Sequence, residues 1–184
     1  MIVAFGRRKR VGKDTAAKFL CNYLRTGPKL DCIVVGFTDP IKAICHFLYG
    51  WGGVEPGIYY ENKPELKDVV LQHLGKSPRQ LWIDVGNALT TVRATTWSDM
   101  VINHKTKIVI VKDLRRPIEA NAIKEVGGWN IDILNDRIPA SNDAIDHELD
   151  DYRFDELIGN HGALDELHAK ICKLGERLAA HVRT

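Results

Sequence analysis

The sequence predicts a three-layer α/β fold on a five-stranded parallel sheet, and three observations carry that expectation. Short β-branched runs recur along the chain, each followed by a stretch with helical spacing. A glycine–lysine turn stands between the first such run and the first such helix. One long segment near the middle leaves the rhythm, as an insert would. Strand–helix alternation of this kind needs right-handed crossovers, and hence parallel strands.

Ile2 to Phe5 is a continuous apolar run that stops at Gly6, short enough to be a buried strand. Helical spacing runs from Thr15 to Leu24 and ends near Gly27-Pro28. Cys32 to Phe37 reads as the second strand and Ile108 to Val111 as the third, with Asp113 just past its end. Ile118 to Val126 reads as a helix stopped by Gly127-Gly128. Trp129 to Leu134 is the fourth strand, Glu156 to Ile158 a short fifth, and a helix from about Leu164 to Val182 closes the chain. Residues from about 45 to 105 are helical in pattern, with turns at Gly50 to Gly57 and Gly75 to Pro78, and predict an insert over the sheet's carboxyl edge. The 184 residues make one domain with such an insert.

Hydrophobic residues make up 45% and charged residues 27%, values of an ordinary soluble globular chain. A formal net charge of +2 excludes a general polyanion-binding surface, so no stable nucleic-acid binding is expected. The cysteines Cys21, Cys32, Cys45 and Cys172 are scattered in apolar stretches, with no metal-ligand spacing, and read as reduced core thiols of a cytoplasmic protein. The amino terminus lacks the features of a signal peptide, and no stretch reaches the roughly 20 apolar residues that span a bilayer.

The run Arg10-Val11-Gly12-Lys13-Asp14-Thr15 lies where a phosphate-binding loop must lie, because loop amides and a helix N-terminus together cradle phosphates. It departs twice from the pattern G-x-x-x-x-G-K-[ST]. Arg7 stands five residues before Gly12 in place of glycine, with Gly6 one position earlier, and Asp14 stands where the metal-binding hydroxyl is expected. A basic surface turn, Arg7 to Arg10, is the plainer reading of the same residues.

Other segments decide between the two. Gly-Lys-Asp-Thr after a Lys-Arg loop resembles the phage-type deoxynucleoside monophosphate kinases and, more distantly, the animal phosphomevalonate kinases. Phe37-Thr38-Asp39-Pro40-Ile41-Lys42 is similar to their A-D-P-L-K turn. Lys76-Ser77-Pro78-Arg79-Gln80-Leu81, then Val85-Gly86-Asn87 and Trp97, is similar to S-x-R-x-L-x-x-x-G-T…W. Asp113-Leu114-Arg115-Arg116-Pro117-Ile118-Glu119-Ala120 is similar to D-x-R-x-x-x-E-A, and Ile158-Gly159-Asn160-His161-Gly162 with Leu164 and Leu167 to I-x-N-x-G-x-L-x-x-L. The segments keep this order from residue 1 to about 175.

The loop pattern and this resemblance together give roles to residues. Lys13 would reach the β- and γ-phosphates of ATP, with Gly12 and Val11 letting the backbone approach. Lys9 and Arg10 would add positive charge there, or stay solvated. Asp14 and Thr15 supply hard oxygens for Mg²⁺, although Asp14 also suits a helix first turn. Asp113, at a strand's carboxyl end, is the second metal-site candidate, or a turn aspartate. Arg115 and Arg79 are candidates for gripping the acceptor's phosphate, since guanidinium binds it bidentately; Arg79 also reads as a surface residue at a helix start. Lys42 would touch that phosphate, Asp39 the acceptor's sugar or a metal water, and Trp97 the pocket wall or the core. Arg137 opens a polar stretch, about 137 to 152, that looks like the family's lid, and would act there as an arginine finger. The family's lid histidine and glutamate are spaced apart, whereas His147 and Glu148 are adjacent, so neither receives a catalytic role. By resemblance Asn160 and Gly162 border the adenine pocket; a capping turn explains them as well.

The expectation is therefore transfer of the ATP γ-phosphate to a deoxynucleoside monophosphate, with Mg²⁺, in a cytoplasm that is the host's if the chain is phage-encoded. A homodimer is compatible with it. A phosphomevalonate-kinase-like acceptor and a non-catalytic nucleotide binder are the two other readings, the latter supported by Arg7 alone.

Overall fold

The computed structural model describes residues 1–139, 142 and 144–183. In chain order the elements are β1 (Ile2–Gly6), α1 (Lys13–Thr26), β2 (Cys32–Val35), α2 (Thr38–Tyr49), α3 (Gly57–Asn62), α4 (Pro78–Val92), α5 (Thr96–Ile102), β3 (Ile108–Leu114), α6 (Pro117–Glu125), β4 (Trp129–Leu134), β5 (Glu156–Gly159) and α7 (Leu164–Arg183). They fall into two compact units, Met1–Gly36 with Ser98–Thr184, and Phe37–Trp97.

The first unit holds the sheet, ordered β2-β3-β1-β4-β5 with every pairing parallel. Period-two alternation places Val3 and Phe5, Ile108 and Ile110, and Ile131 and Ile133 on one face, in a single apolar cluster with α1 and α7. From those helices Ala16, Leu20, Leu24, Leu167, Ile171, Leu174 and Leu178 meet them, all nearly or wholly buried. Each such Leu or Ile contributes about 1.5–3 kcal/mol by leaving water. On the other face α6 packs against β1 and β4 through the buried Ala120 and Ile123. The three layers and the five parallel strands are those the alternation predicts.

Several boundaries differ from the sequence reading by a few residues, and two of them bear on the sheet's carboxyl edge. β3 continues to Leu114, so Asp113 lies inside the strand; a register irregularity opposite Ala4–Gly6 lets Leu114 pair with Gly6. β2 stops at Val35, because Phe37 already has helical angles and caps α2. In the second unit α4 begins with a capping box: Ser77 Oγ accepts the Gln80 N–H at 3.3 Å, and Gln80 Oε1 accepts the Ser77 N–H at 2.9 Å. Pro78 follows at the first helical position, where its missing N–H costs nothing.

All four cysteines are free; Cys21, Cys32 and Cys45 are buried, but Cys172 is only half-buried on α7, which corrects its reading as a core thiol. Among the described residues no helix is long and apolar enough to cross a membrane.

The central strands should dominate stability. Ile110→Ala is expected to lower the unfolding free energy by about 2–5 kcal/mol, and Val92→Ala, on an exposed helix face, by less than about 0.5. Urea midpoints of the two variants check this; equal shifts would contradict the core assignment.

Candidate phosphate-binding site

β1 ends at Gly6 and α1 begins at Lys13, leaving a basic turn at the sheet's carboxyl edge. Gly12 caps α1 in the left-handed conformation, φ 105°, and offers no side-chain cap to the first-turn amides. Those amides and the positive helix end are open to an anion. A Cβ at residue 12 would lie 2.6 Å from Asn160 Nδ2, and that same amide nitrogen donates to the Val11 carbonyl at 2.9 Å. Asn160, beyond β5, therefore braces the turn from outside.

Lys13 is 5% exposed and folds back so that its ammonium donates to the Arg8 carbonyl. Burial, and then the Arg115 guanidinium, lower its pKa to about 8, against the opposing pull of Asp14, Asp146 and Asp113. Arg115 donates to Asp146, which is 1% exposed, and Lys9 Nζ lies 3.9 Å from the other Asp146 oxygen. That second oxygen accepts no hydrogen bond. Arg7 NH1 donates to Asp132 Oδ2 at 2.9 Å and its Nε to Asp150 Oδ1 at 3.0 Å; Arg8 reaches Asp150 at 3.7 Å. Burial pushes the Asp132 carboxyl up, and Arg7 opposes it. The Glu119 carboxylate accepts the Arg115 and Arg116 N–H groups, both at 3.1 Å, and so fixes the backbone that carries Arg115. Burial pushes Glu119 up to about 7 despite these bonds.

Of the residues singled out by sequence, Lys9, Val11, Gly12, Lys13, Arg115 and Asn160 are gathered around this turn. Asp14 is exposed in the first turn of α1, Thr15 and Asp113 are half-buried, and Arg10 is exposed with φ 64°. Arg137 is exposed after β4, where its N–H donates to Asn135 Oδ1 at 3.1 Å. Gly162 lies in an exposed turn before α7, where a Cβ would collide with the Glu166 carboxylate. Of the lid stretch 137 to 152, Ala140, Ser141 and Asp143 lie outside the described residues. His147 Nδ1 is 2.7 Å from Asp150 Oδ2.

The second unit carries the remaining candidates. Lys42 Nζ lies 3.6 Å from both Asp39 and Glu61, and 5.7 Å from the Trp82 ring centroid. Arg79 holds Asp68 through both arms of its fork, at 2.6 and 3.2 Å, and Trp97 is buried.

Sequence reading missed Asp132, Asp146, Asp150 and the backbone-holding role of Glu119. Asp132 had a signal, a lone acid between Ile131 and Ile133 in an otherwise apolar strand. Asp146 and Asp150 had none, being two of many acids in a polar stretch. Among the described residues no three carboxylate, imidazole or thiol groups cluster as a metal-ligand set. Asp14 and Asp113 are carboxylates of the kind Mg²⁺ takes, one or two at a time, filling the rest of its shell with water and phosphate.

A cavity of about 350 Å³ opens beside the turn, lined by Arg7, Arg8, Val11, Asp132, Asn135 and Asp136 among others. A larger groove of about 480 Å³ runs along β5 and α7, but its Lys170 is bound to the Gly159 carbonyl and its Arg177 to Glu156. Size alone therefore does not locate the site; open amides and converging cations do.

No family model matches the chain, and no curated protein matches it by sequence. Among solved structures, shikimate kinase from Aquifex aeolicus is similar over 97% of this chain and 99% of that one, with a TM-score of 0.53 and 13% identity. A de novo designed P-loop protein covers 98% of this chain and 93% of its own at a TM-score of 0.39 and 11% identity. The likeness to the first is one of fold, and the fold is of the P-loop kinase type.

Lys13 supplies a direct test of the site. Its lowered pKa of about 8 leaves it largely neutral above that pH, and a bound polyphosphate would favour the charged form. Binding of inorganic tripolyphosphate at pH 9 should therefore take up a proton, measured by calorimetry in buffers of different ionisation heat. At pH 7 Lys13 is already protonated and contributes no uptake. Lys13→Met should abolish the uptake at pH 9; uptake that survives in this variant would contradict the assignment.

Proposed function

We propose that this chain is a Mg-ATP-dependent phosphotransferase whose acceptor is a deoxynucleoside monophosphate. The observation that carries the phosphotransferase reading is the uncapped start of α1, with the Lys13 ammonium folded over the turn and Arg115 beside it. In this reading the amides from Gly12 to Thr15 and Lys13 hold the β- and γ-phosphates of ATP. Arg115 and Lys9 place positive charge where the transferring group passes, and Arg137 would join them from the lid stretch. Asp14 and Asp113 would hold Mg²⁺, which when bound neutralises charge between the phosphates. The attacking atom is a phosphate oxygen of the acceptor, so no protein nucleophile is needed. ADP and the deoxynucleoside diphosphate leave.

The acceptor assignment rests on the ordered sequence segments that resemble the phage-type kinases. In the second unit Arg79 already engages two carboxylate oxygens at once, the geometry a phosphate group presents. Lys42 and Asp39 lie together, and Trp97 is buried, in keeping with contacts to phosphate, sugar and pocket wall. Asn160, by bracing Val11, would set the adenine side of the ATP site together with Gly162. A different small-molecule acceptor on the same frame is the second reading, favoured by the nearly end-to-end fold likeness to a shikimate kinase.

A panel of acceptors incubated with Mg-ATP and resolved by chromatography separates the two. Deoxynucleoside diphosphates should appear, and neither mevalonate phosphate nor shikimate should be phosphorylated. Product from a non-nucleotide acceptor and none from any deoxynucleotide would favour the second reading. ATP binding without transfer to any acceptor would leave a non-catalytic binder.

Within the panel, Lys13→Ala should lower kcat about 10²–10³-fold in a chain that still folds, the scale of removing one donor aimed at developing charge. Arg79→Ala should raise the acceptor's KM with ATP affinity unchanged, and Arg79→Lys should not restore it, lacking the bidentate fork. An Arg79→Ala variant that weakens ATP as much as acceptor would place this residue on the wrong substrate.

A further inference from the structure

Arg7 occupies the position that the phosphate-loop pattern reserves for glycine, five residues before Gly12, and its backbone is left-handed, with φ 71°. Any residue with a Cβ resists that conformation. Gly6 does not relieve it by taking over the turn one residue earlier. Gly6 remains in β1, pairing with Leu114 on one side and Asp132 on the other, and a Cβ there would meet Phe154 at 2.8 Å. Arg10 and Lys29 also adopt positive φ, but at Arg7 the side chain has partners that can offset the cost.

From β4, directly across from Gly6, the 1% exposed Asp132 accepts the Arg7 guanidinium at 2.9 Å. Asp150 takes the Nε–H at 3.0 Å, and the Arg7 N–H donates to the Leu114 carbonyl at 3.1 Å. The Arg7 backbone is thus tied to β3 and its guanidinium to β4.

We propose that Asp132 is a positioning residue: acting through Arg7, it holds the first turn of the phosphate loop in a left-handed conformation that glycine adopts without a partner. The Arg7–Asp132 pair thereby replaces a glycine, and the orientation of the loop amides toward phosphate depends on it. The inference rests on the phosphate-loop reading above.

The test combines Asp132→Asn, Arg7→Gly, the double variant, and Asp132→Asn with Arg7→Ala. Binding of magnesium tripolyphosphate is measured by calorimetry, and stability by urea unfolding. Asp132→Asn, nearly isosteric, should weaken tripolyphosphate binding about tenfold when residue 7 is arginine, the scale of a left-handed backbone penalty. In the Arg7→Gly background the same substitution should not weaken binding, because glycine needs no holding. The Gly and Ala double variants carry equal charge, yet the Gly form should bind about tenfold more tightly. Weakening by Asp132→Asn of equal size in both backgrounds, or equal affinity of the Gly and Ala forms, would overturn the proposal. A wild-type chain that binds no tripolyphosphate removes the phosphate-loop reading instead. The urea midpoints then decide the pairing: Asp132→Asn must destabilise the Arg7 form and spare the Gly form, and a loss in both overturns it.

Discussion

Five cations fall within the seven residues from Arg7 to Lys13, and their mutual repulsion is the constraint that the surrounding structure answers. Two unit charges at contact distance repel by about 4 kcal/mol at an effective dielectric near a protein surface. Acids are brought to that charge. They come from distant parts of the chain: Asp132 on β4, and Asp146 and Asp150 in the stretch before β5. The sheet order places β1 between β3 and β4, so that Arg115 just beyond β3 and Asp132 on β4 both reach the turn.

The balance differs from cation to cation, and the proposed function rests on that difference. Arg7 has two carboxylate partners and reads as framework. Lys13 is bonded to a carbonyl, and its burial, with the Arg115 guanidinium nearby, lowers its pKa. Arg115 donates to Asp146, and Lys9 lies 3.9 Å from the same carboxylate. These three cations, beside an uncapped helix start, are the ones a phosphate chain would complete. A carboxylate such as Asp146, with an oxygen that accepts no hydrogen bond, is a weaker match to two cations than a phosphate with three free oxygens. Glu119 performs a separate task, since its two backbone bonds set where Arg115 starts.

How much of this was legible in the sequence depended on whether the cause was local. Trp129 to Leu134 was read to the residue as a strand, and Gly12-Lys13 as lying in the turn between the first strand and the first helix, because periodicity and punctuation are local signals. The end of β3 was missed because it depends on pairing with Gly6, which lies more than 100 residues away. Arg7 looked like a defect, since nothing nearby in sequence announces Asp132 as its partner. Asp146 was one acid in an acidic run, and only burial distinguishes it from its neighbours. Asn160 came by resemblance as a residue of the nucleotide pocket, yet its visible role is to hold the Val11 carbonyl.

The account stands or falls on an anion occupying the turn between β1 and α1. Amide chemical shifts of the isotopically labelled chain, followed while magnesium tripolyphosphate is added, test this most directly. The largest displacements should fall on the N–H groups of Gly12, Lys13, Asp14 and Thr15, since these would exchange water for phosphate oxygens. Displacements confined to other cationic surfaces, such as the groove of Lys170, Lys173 and Arg177, with the turn unmoved, would contradict the account.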